Sequence, residues 1–446
     1  TEPVAKYAQV SLQYRAAYDH QERDKRSYET GSDFSIAGLL PDPTLSNAYE
    51  SNYTTQRVGP GFRYSKDRNT FVANVYYQHS VLDGQVTQGE SEEIRHSYDD
   101  FTYFMMGQLM INRENSLRLF INSSTSNPDV TSLQGVYDLS DAQNISHGNP
   151  TLNPSYSHRI NFHYINSNVE KGRTFMWMFS LQSTSDYIGT HTVQNPSFTV
   201  DGETYTPNFY STPVNLDGYL SLRTHLSYGF PIGFLRSNFN VMAGVSYTNT
   251  PSMYGMDDGG IDPETGAISG GERNDTENMG YDFRAVLGSN ISENVDFTLS
   301  WNGTYNEATN SLSTTNSKNR YFNHTASGDL KIVFPLGFTL TASAAYTQYL
   351  GFTNDYNDDY LLCNAYIGKK LFKNQRGEIM FGVNDIFNQN KSFVRTTGSG
   401  WTQNATNSVI GRYFMVQFSF NLRRFGKKGS TNIKDYDGVE PAPRRR

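Results

Sequence analysis

The chain has 446 residues, of which 36% are apolar and 14% aromatic, with 31 Tyr and 28 Phe. Its formal net charge of −7 gives no support for nucleic-acid binding, and its single cysteine, Cys363, excludes an intramolecular disulfide or a cysteine metal cluster. No stretch approaches the roughly 18 uninterrupted apolar residues of a transmembrane helix, and the chain is too aromatic to be disordered.

What remains is an apolar surface that is aromatic and thinly spread, as when every second residue of a strand meets something greasy. Period-two alternation predicts about sixteen strands and no convincing amphipathic helix. In chain order they fall near 4–18, 55–64, 70–80, 98–111, 116–125, 156–167, 173–188 and 217–230. The series continues with 236–249, 279–291, 295–306, 322–334, 338–349, 359–371, 376–387 and 410–423.

The connections alternate between tight and long without exception. Tight ones cover 64–70, 111–116, 168–173, 230–236, 291–296, 334–338 and 371–378. Long ones cover 19–54, 81–97, 126–155, 189–216, 250–278, 307–321, 350–358 and 388–409. A soluble sandwich has no reason to gather its short turns at one end, whereas a barrel crossing an outer membrane has short periplasmic turns and long extracellular loops. The expected fold class is therefore all-β, an antiparallel transmembrane β-barrel.

The strand faces agree. In 148–164, GNPTLNPSYSHRINFHY, a turn rich in Pro and Asn leads into a strand. Ile160, Phe162 and Tyr164 share one face of it, and Arg159, Asn161 and His163 the other. Leu220, Leu222, Leu226 and Phe230 likewise oppose Ser221, Arg223 and His225, and Phe414, Val416, Phe418 and Phe420 oppose Gln417, Ser419 and Asn421. Several charges per strand cannot enter one dry core cheaply. The apolar face should therefore meet lipid and the polar face a wet lumen, with Phe230, Phe234, Phe334 and Phe338 as part of an interfacial girdle.

Few residues suggest a site. Asp257, Asp258, Asp262 and Glu264 lie among glycines in 250–278, as oxygen ligands of Ca²⁺ do, but not at EF-hand spacing; an acidic surface loop is the simpler reading. The acidic stretch 354–360 is a weaker example. His147, His158 and His163 are close in sequence, yet His158 and His163 belong to opposite faces, so a metal site is disfavoured. No phosphate loop, G-x-S-x-G or H-E-x-x-H is present. No catalytic, cofactor-binding or metal-ligating residue is assigned, and no enzyme is expected. Tyr205, Phe209, Tyr210, Tyr254, Phe393 and Trp401 are candidate ligand contacts in the loops, each equally readable as loop packing.

The stretches GNPTLNPSYSH (148–158), GEIMFGVNDIFNQNKSF (377–393) and GRYFMVQFSFNLRRFG (411–426) together resemble the C-terminal part of a TonB-dependent outer-membrane receptor. The style is that of the Bacteroidetes outer-membrane β-barrel family related to SusC-like transporters. The first stretch is similar to that family's entry into a barrel strand, the second to its penultimate strand, and the third to its closing strand. Ser155 departs from the family's usual Glu, and about twenty residues follow Phe425 where family members end. The resemblance implies a barrel of about 22 strands and an N-terminal plug. On that basis the chain is a C-terminal barrel portion, 1–425, followed by a flexible periplasmic tail, 426–446. The absence of a signal-like region before Thr1 fits a processed chain or a fragment.

The resemblance also implies energised uptake of a ligand bound by the extracellular loops and passed through the plugged lumen. Its partners would be outer-membrane lipids, TonB through an N-terminal region outside this sequence, and a surface lipoprotein or other envelope protein. The alternatives are a non-transporting scaffold of a multi-protein outer-membrane complex, or a self-contained porin.

Overall fold

The computed structural model describes residues 1–26, 28, 36, 38–41, 47–88, 93–135, 137–139, 141–200, 202–256, 260–262, 265–289, 292, 294–312, 319–351, 357–372, 375–398 and 401–421. The tail 426–446 lies outside them. The first strands are β1 (Glu2–Ala5), β2 (Ala8–Lys25), β3 (Asn47–Lys66), β4 (Asn69–Gln88), β5 (Glu93–Met110) and β6 (Asn115–Ser126). A one-turn helix α1 (Val130–Leu133) precedes β7 (Tyr137–Asp138), β8 (Asn144–His147), β9 (Ser155–Asn168) and β10 (Arg173–Ser185). Then come β11 (Tyr187–Gln194), β12 (Phe198–Val200), β13 (Glu203–Tyr205), β14 (Phe209–Leu216), β15 (Tyr219–Ile232) and β16 (Ser237–Met256). The last are β17 (Glu272–Ser289), β18 (Val295–Asn310), β19 (Asn319–Val333), β20 (Phe338–Gly351), β21 (Asn357–Leu371), β22 (Gly377–Asn384), β23 (Ser392–Gly398), β24 (Trp401–Asn407) and β25 (Tyr413–Phe420).

Each of the sixteen expected strands is present. They form one antiparallel meander, β2-β3-β4-β5-β6-β9-β10-β15-β16-β17-β18-β19-β20-β21-β22-β25, with β1 added at the front. The segment expected as a single strand over 4–18 is two, and the one expected over 376–387 ends at Asn384. Ala5 pairs with Ala8 across a two-residue turn at Lys6–Tyr7. Val4, Ala8, Val10 and Leu12 keep their even spacing through that turn, and no Gly, Pro or Asn marks it, so periodicity alone shows no break. The segment expected to reach residue 188 ends sooner, at Ser185, where Asp186 adopts a left-handed φ of 50°.

Register carries the two-faced pattern around the sheet. Val58 pairs with both Tyr14 and Tyr77, and Tyr77 with Phe101. Phe162 pairs with Leu119 and Phe179, Leu226 with Trp177 and Ala243, and Ala243 with Phe283. One residue along each strand the neighbours are polar: Arg118 opposes His163, and Gly244 lies between His225 and Asp282. A one-residue slip of any strand would put its apolar set on the wrong face, so the register is strongly specified.

The apolar face is left bare by the protein itself: Leu12 is 78% exposed and Phe101 68%. At roughly 25 cal/mol per Å² of apolar surface, a face of this kind is not tolerated in water over so many strands, but it matches lipid. Aromatics lie both beside the tight turns and along the strands. Phe234, Phe334 and Phe338 are exposed beside the tight turns, and Tyr77, Phe101 and Tyr281 are exposed at mid-strand. The buried apolar clusters lie elsewhere, among the long loops and the strand ends that carry them.

Candidate functional site

Described parts of three of the long connections, within 127–154, 186–218 and 260–271, are folded onto one another at the mouth of the sheet. Helix α1 starts because the Asp129 side chain accepts the Ser132 N–H at 2.7 Å and the Thr131 hydroxyl at 2.6 Å, capping its first turn. That turn puts Val130 and Leu133 against Leu82 of β4, Ile94 of β5 and Leu152, which are all buried, with Tyr53 and Ile188 at the margin. One long connection is thereby packed onto the upper ends of wall strands.

The GNPTLNP stretch makes the join. The Asn149 N–H donates to the Ser132 carbonyl at 2.6 Å, and its side-chain amide donates to the Pro213 carbonyl at 3.0 Å. The Asn149 Oδ1 accepts the N–H and hydroxyl of Thr151. Four residues on, the Asn153 N–H donates to Asn215 Oδ1, and the Asn215 amide returns bonds to the carbonyls of Asn153 and Asp186. Gly148 is required because a Cβ there would collide with the Gln134 carbonyl. The motif therefore clasps one loop to the next before the chain descends into β9.

Beyond the clasp, the wall continues upward as a small mixed sheet. β11 and β14 form an antiparallel hairpin; β11 pairs in parallel with the top of β16, and β14 in parallel with β8. Ile145, Phe198 and Tyr210 form a second buried cluster there, against Tyr137, Tyr205, Ile261 and Ile268. Tyr210 is 0% exposed and donates to the Gly266 carbonyl at 2.6 Å; burial pushes its phenol far above the ordinary range. Gly266 (φ 63°) lies against the His147 ring, leaving no room for a Cβ. His191 on β11 is 7% exposed with no hydrogen-bond partner for Nε2 among the described residues, and burial lowers its pKa.

The candidate loop aromatics divide. Tyr210 is a core residue of the loop layer and cannot touch a ligand without unpacking it. Tyr205 is half-buried against Phe198, with ring centroids 5.9 Å apart, and Phe209 is half-buried within β14. Tyr254 is half-buried and donates to Gln194 Oε1 at 2.7 Å. The side chains of Phe393 and Trp401 lie outside the described residues. Of the acidic loop, Asp257, Asp258 and Glu264 also lie outside them, while Asp262 accepts the Thr265 hydroxyl at 2.8 Å in a small hairpin closed by its backbone. In the stretch 354–360, Asp358 accepts from Lys391 at 2.6 Å. His147, His158 and His163 are apart: His147 bonds the Gly148 carbonyl, His158 bonds the Tyr103 hydroxyl, and His163 lies against Phe120 on the polar face. Among the described residues no group of three His, Cys, Asp or Glu is placed to hold a metal ion.

The second motif, VNDIFNQN, is also structural. Asp385 is 2% exposed with φ 52°, and its two carboxylate oxygens accept the N–H groups of Gln389 and Asn390 at 2.9 and 3.0 Å. Asn388, also left-handed, accepts the Arg412 N–H, and the Asn390 amide donates to the Ile410 carbonyl. The two ends of the last long connection are thus held together where β22 leaves the wall and β25 rejoins it.

A family model described as an outer membrane protein beta-barrel family matches residues 80–259 and 261–421, from within β4 to just past β25. A search of curated proteins found no match.

Proposed function

The chain belongs to this outer-membrane β-barrel family and lies in the outer membrane; from that premise we propose that it is the barrel of a TonB-dependent-type uptake receptor. The short turns then face the periplasm and the long loops the cell exterior. One observation carries the reading: over their described residues three of the long loops form a packed layer with its own apolar clusters and a motif-encoded clasp. A passive pore gains nothing from ordering its mouth in this way, whereas a receptor needs binding groups held in place before the ligand arrives. The half-buried Tyr205, Phe209 and Tyr254 are anchored by that layer and supply its aromatic contacts.

The test is made in cells carrying the intact gene. A receptor of this type supports accumulation of its solute from dilute medium, and dissipating the proton gradient or deleting the gene abolishes that accumulation. Accumulation unaffected by either treatment would sink the proposal. Stoichiometric co-purifying partners without any uptake defect would instead favour an assembly scaffold.

A further inference from the structure

We propose that the polar wall below the mouth is a binding path for multiply charged anionic solutes, those bearing phosphate or carboxylate groups. The inference deepens the uptake reading and rests on its assignment of the polar face to the lumen. The chain as a whole is acidic, at −7, yet its wall is not. Register places seven arginines on the polar face below the mouth, with Arg23 on the same face nearer the mouth. Arg63 and Arg118 stand beside the tight turns that follow β3 and precede β6. Arg284 stands further in, Arg15 and Arg57 face each other across β2 and β3 toward mid-strand, and Arg159 and Arg223 also stand toward mid-strand. Each is one position from an apolar residue of the opposite face, such as Tyr14, Val58, Ile160, Leu222 or Phe283.

None of these seven guanidiniums has an ion-pair partner among the described residues. Among the described residues the arginine ion pairs are those of Arg26, Arg273 and Arg320, none of which belongs to this set. Arg159 donates to the neutral Gln182 at 3.0 Å, and Arg57 lies 5.1 Å from the Tyr76 ring centre. Arg15 and Arg57 are direct cross-strand partners, an arrangement of like charges that destabilises a sheet unless something negative lies between them. Below the mouth, between β6 and β17, the described polar face carries one carboxylate, Asp282. It is 3.5 Å from His225, reached across the bare backbone of Gly244. Asp100 stands in the same cross-strand row as Arg15, Arg57 and Gln78, Asp19 stands four residues nearer the mouth than Arg15, and on β18–β22 Asp296, Asp329 and Glu378 accompany Lys331 and Lys370.

The spacing argues for a solute rather than a fixed acidic partner. The arginines stand at successive heights, separated by small neutral residues: Ser180 opposes Arg223, Gln182 opposes Arg159, and Ser246 and Gly280 continue the Arg223 row. Arginine-lined pores select anions, and conduction needs several moderate sites so that an ion can leave each one. The guanidinium fork suits both carboxylate and phosphate, and a low-dielectric wall around water concentrates the field.

The test uses the full-length protein in a neutral detergent, titrated calorimetrically with pyrophosphate, citrate and, as a neutral probe, maltose, at constant ionic strength. Pyrophosphate and citrate are expected to bind more tightly than maltose, and Arg159→Gln/Arg223→Gln to weaken both at least about tenfold, in line with the loss of charge-assisted hydrogen bonds. A control of equal charge change, Lys171→Gln/Arg320→Gln, is expected to bind as wild type does. Arg159→Lys/Arg223→Lys keeps the charge but not the fork and is expected to fall between, which covers a failure of the Gln pair to fold. Three results overturn the inference: anion binding no stronger than maltose, equal weakening by the control, or a double variant that loses thermal stability while wild type binds no anion. The last would mean that acidic polypeptide occupies the wall. None of these results touches the uptake measurement, so the two proposals fail separately.

Discussion

At the scale of single residues, the sequence motifs mark structural joints. Asp385 combines a left-handed φ with a carboxylate that takes two backbone N–H groups. Asp385→Ala removes both bonds and places Ala where L-residues are strained, so it should cost about 2–4 kcal/mol in denaturant unfolding from detergent. Asp385→Asn tolerates the conformation and keeps one acceptor, and should cost about half as much; equal losses would show that the turn geometry contributes nothing. Gly148→Ala should loosen the loop clasp without unfolding the wall, seen as faster hydrogen exchange in 127–154 and 186–218 but not in β15–β20. Uniform exchange changes would contradict a local joint. The punctuation of GNPTLNP was legible, but its purpose was not: the partners Pro213 and Asn215 lie about 60 residues away on another loop. Tyr210 illustrates the same limit. A tyrosine in a polar loop reads as a ligand contact until the packing partners Ile145 and Phe198 are brought to it from two other segments.

At the scale of elements, period two sufficed for the wall because each wall strand pairs with a neighbour in sequence and presents one face to lipid. Leu226 and Ser227 test that division on a single strand. Leu226→Arg puts charge against the acyl chains and should cost about 2–4 kcal/mol, while Ser227→Arg should be close to neutral in the same unfolding assay; similar costs at both positions would remove the distinction between the faces. The loop strands escaped detection because their pairings, β11 with β16 and β8 with β14, are parallel and non-local. Alternation in 187–194 and 209–216 was their one available signal. His191 gives this layer a pH dependence. Burial lowers its folded pKa, so the unfolded layer binds more protons as pH falls below about 6.5. Stability of the layer is therefore full above that value and declines on acidification. Protection factors of 186–218, taken relative to the intrinsic exchange rate at each pH, should fall between pH 7 and pH 5, and His191→Gln should flatten the response. An unchanged profile in the variant would remove His191 as the cause.

At the scale of the whole molecule, the alternation of short and long connections separates the two ends, and the alternation of side chains separates the two faces. Both were readable because a membrane imposes them on every strand alike. The loop layer and the arginine wall were not readable in the same way. The first depends on contacts between distant segments, and the second on register, which turns scattered arginines into neighbours. The central claim is the inverted arrangement, with the apolar face outward in lipid and the polar face inward in water. Single cysteines placed successively from Leu220 to Phe230, in a Cys363→Ala background, can carry a fluorophore in proteoliposomes and be challenged with brominated lipid and with aqueous iodide. Quenching by lipid should peak at 220, 222, 224, 226, 228 and 230, and quenching by iodide at the positions between them. A uniform profile, or one with the two quenchers exchanged, would contradict the account.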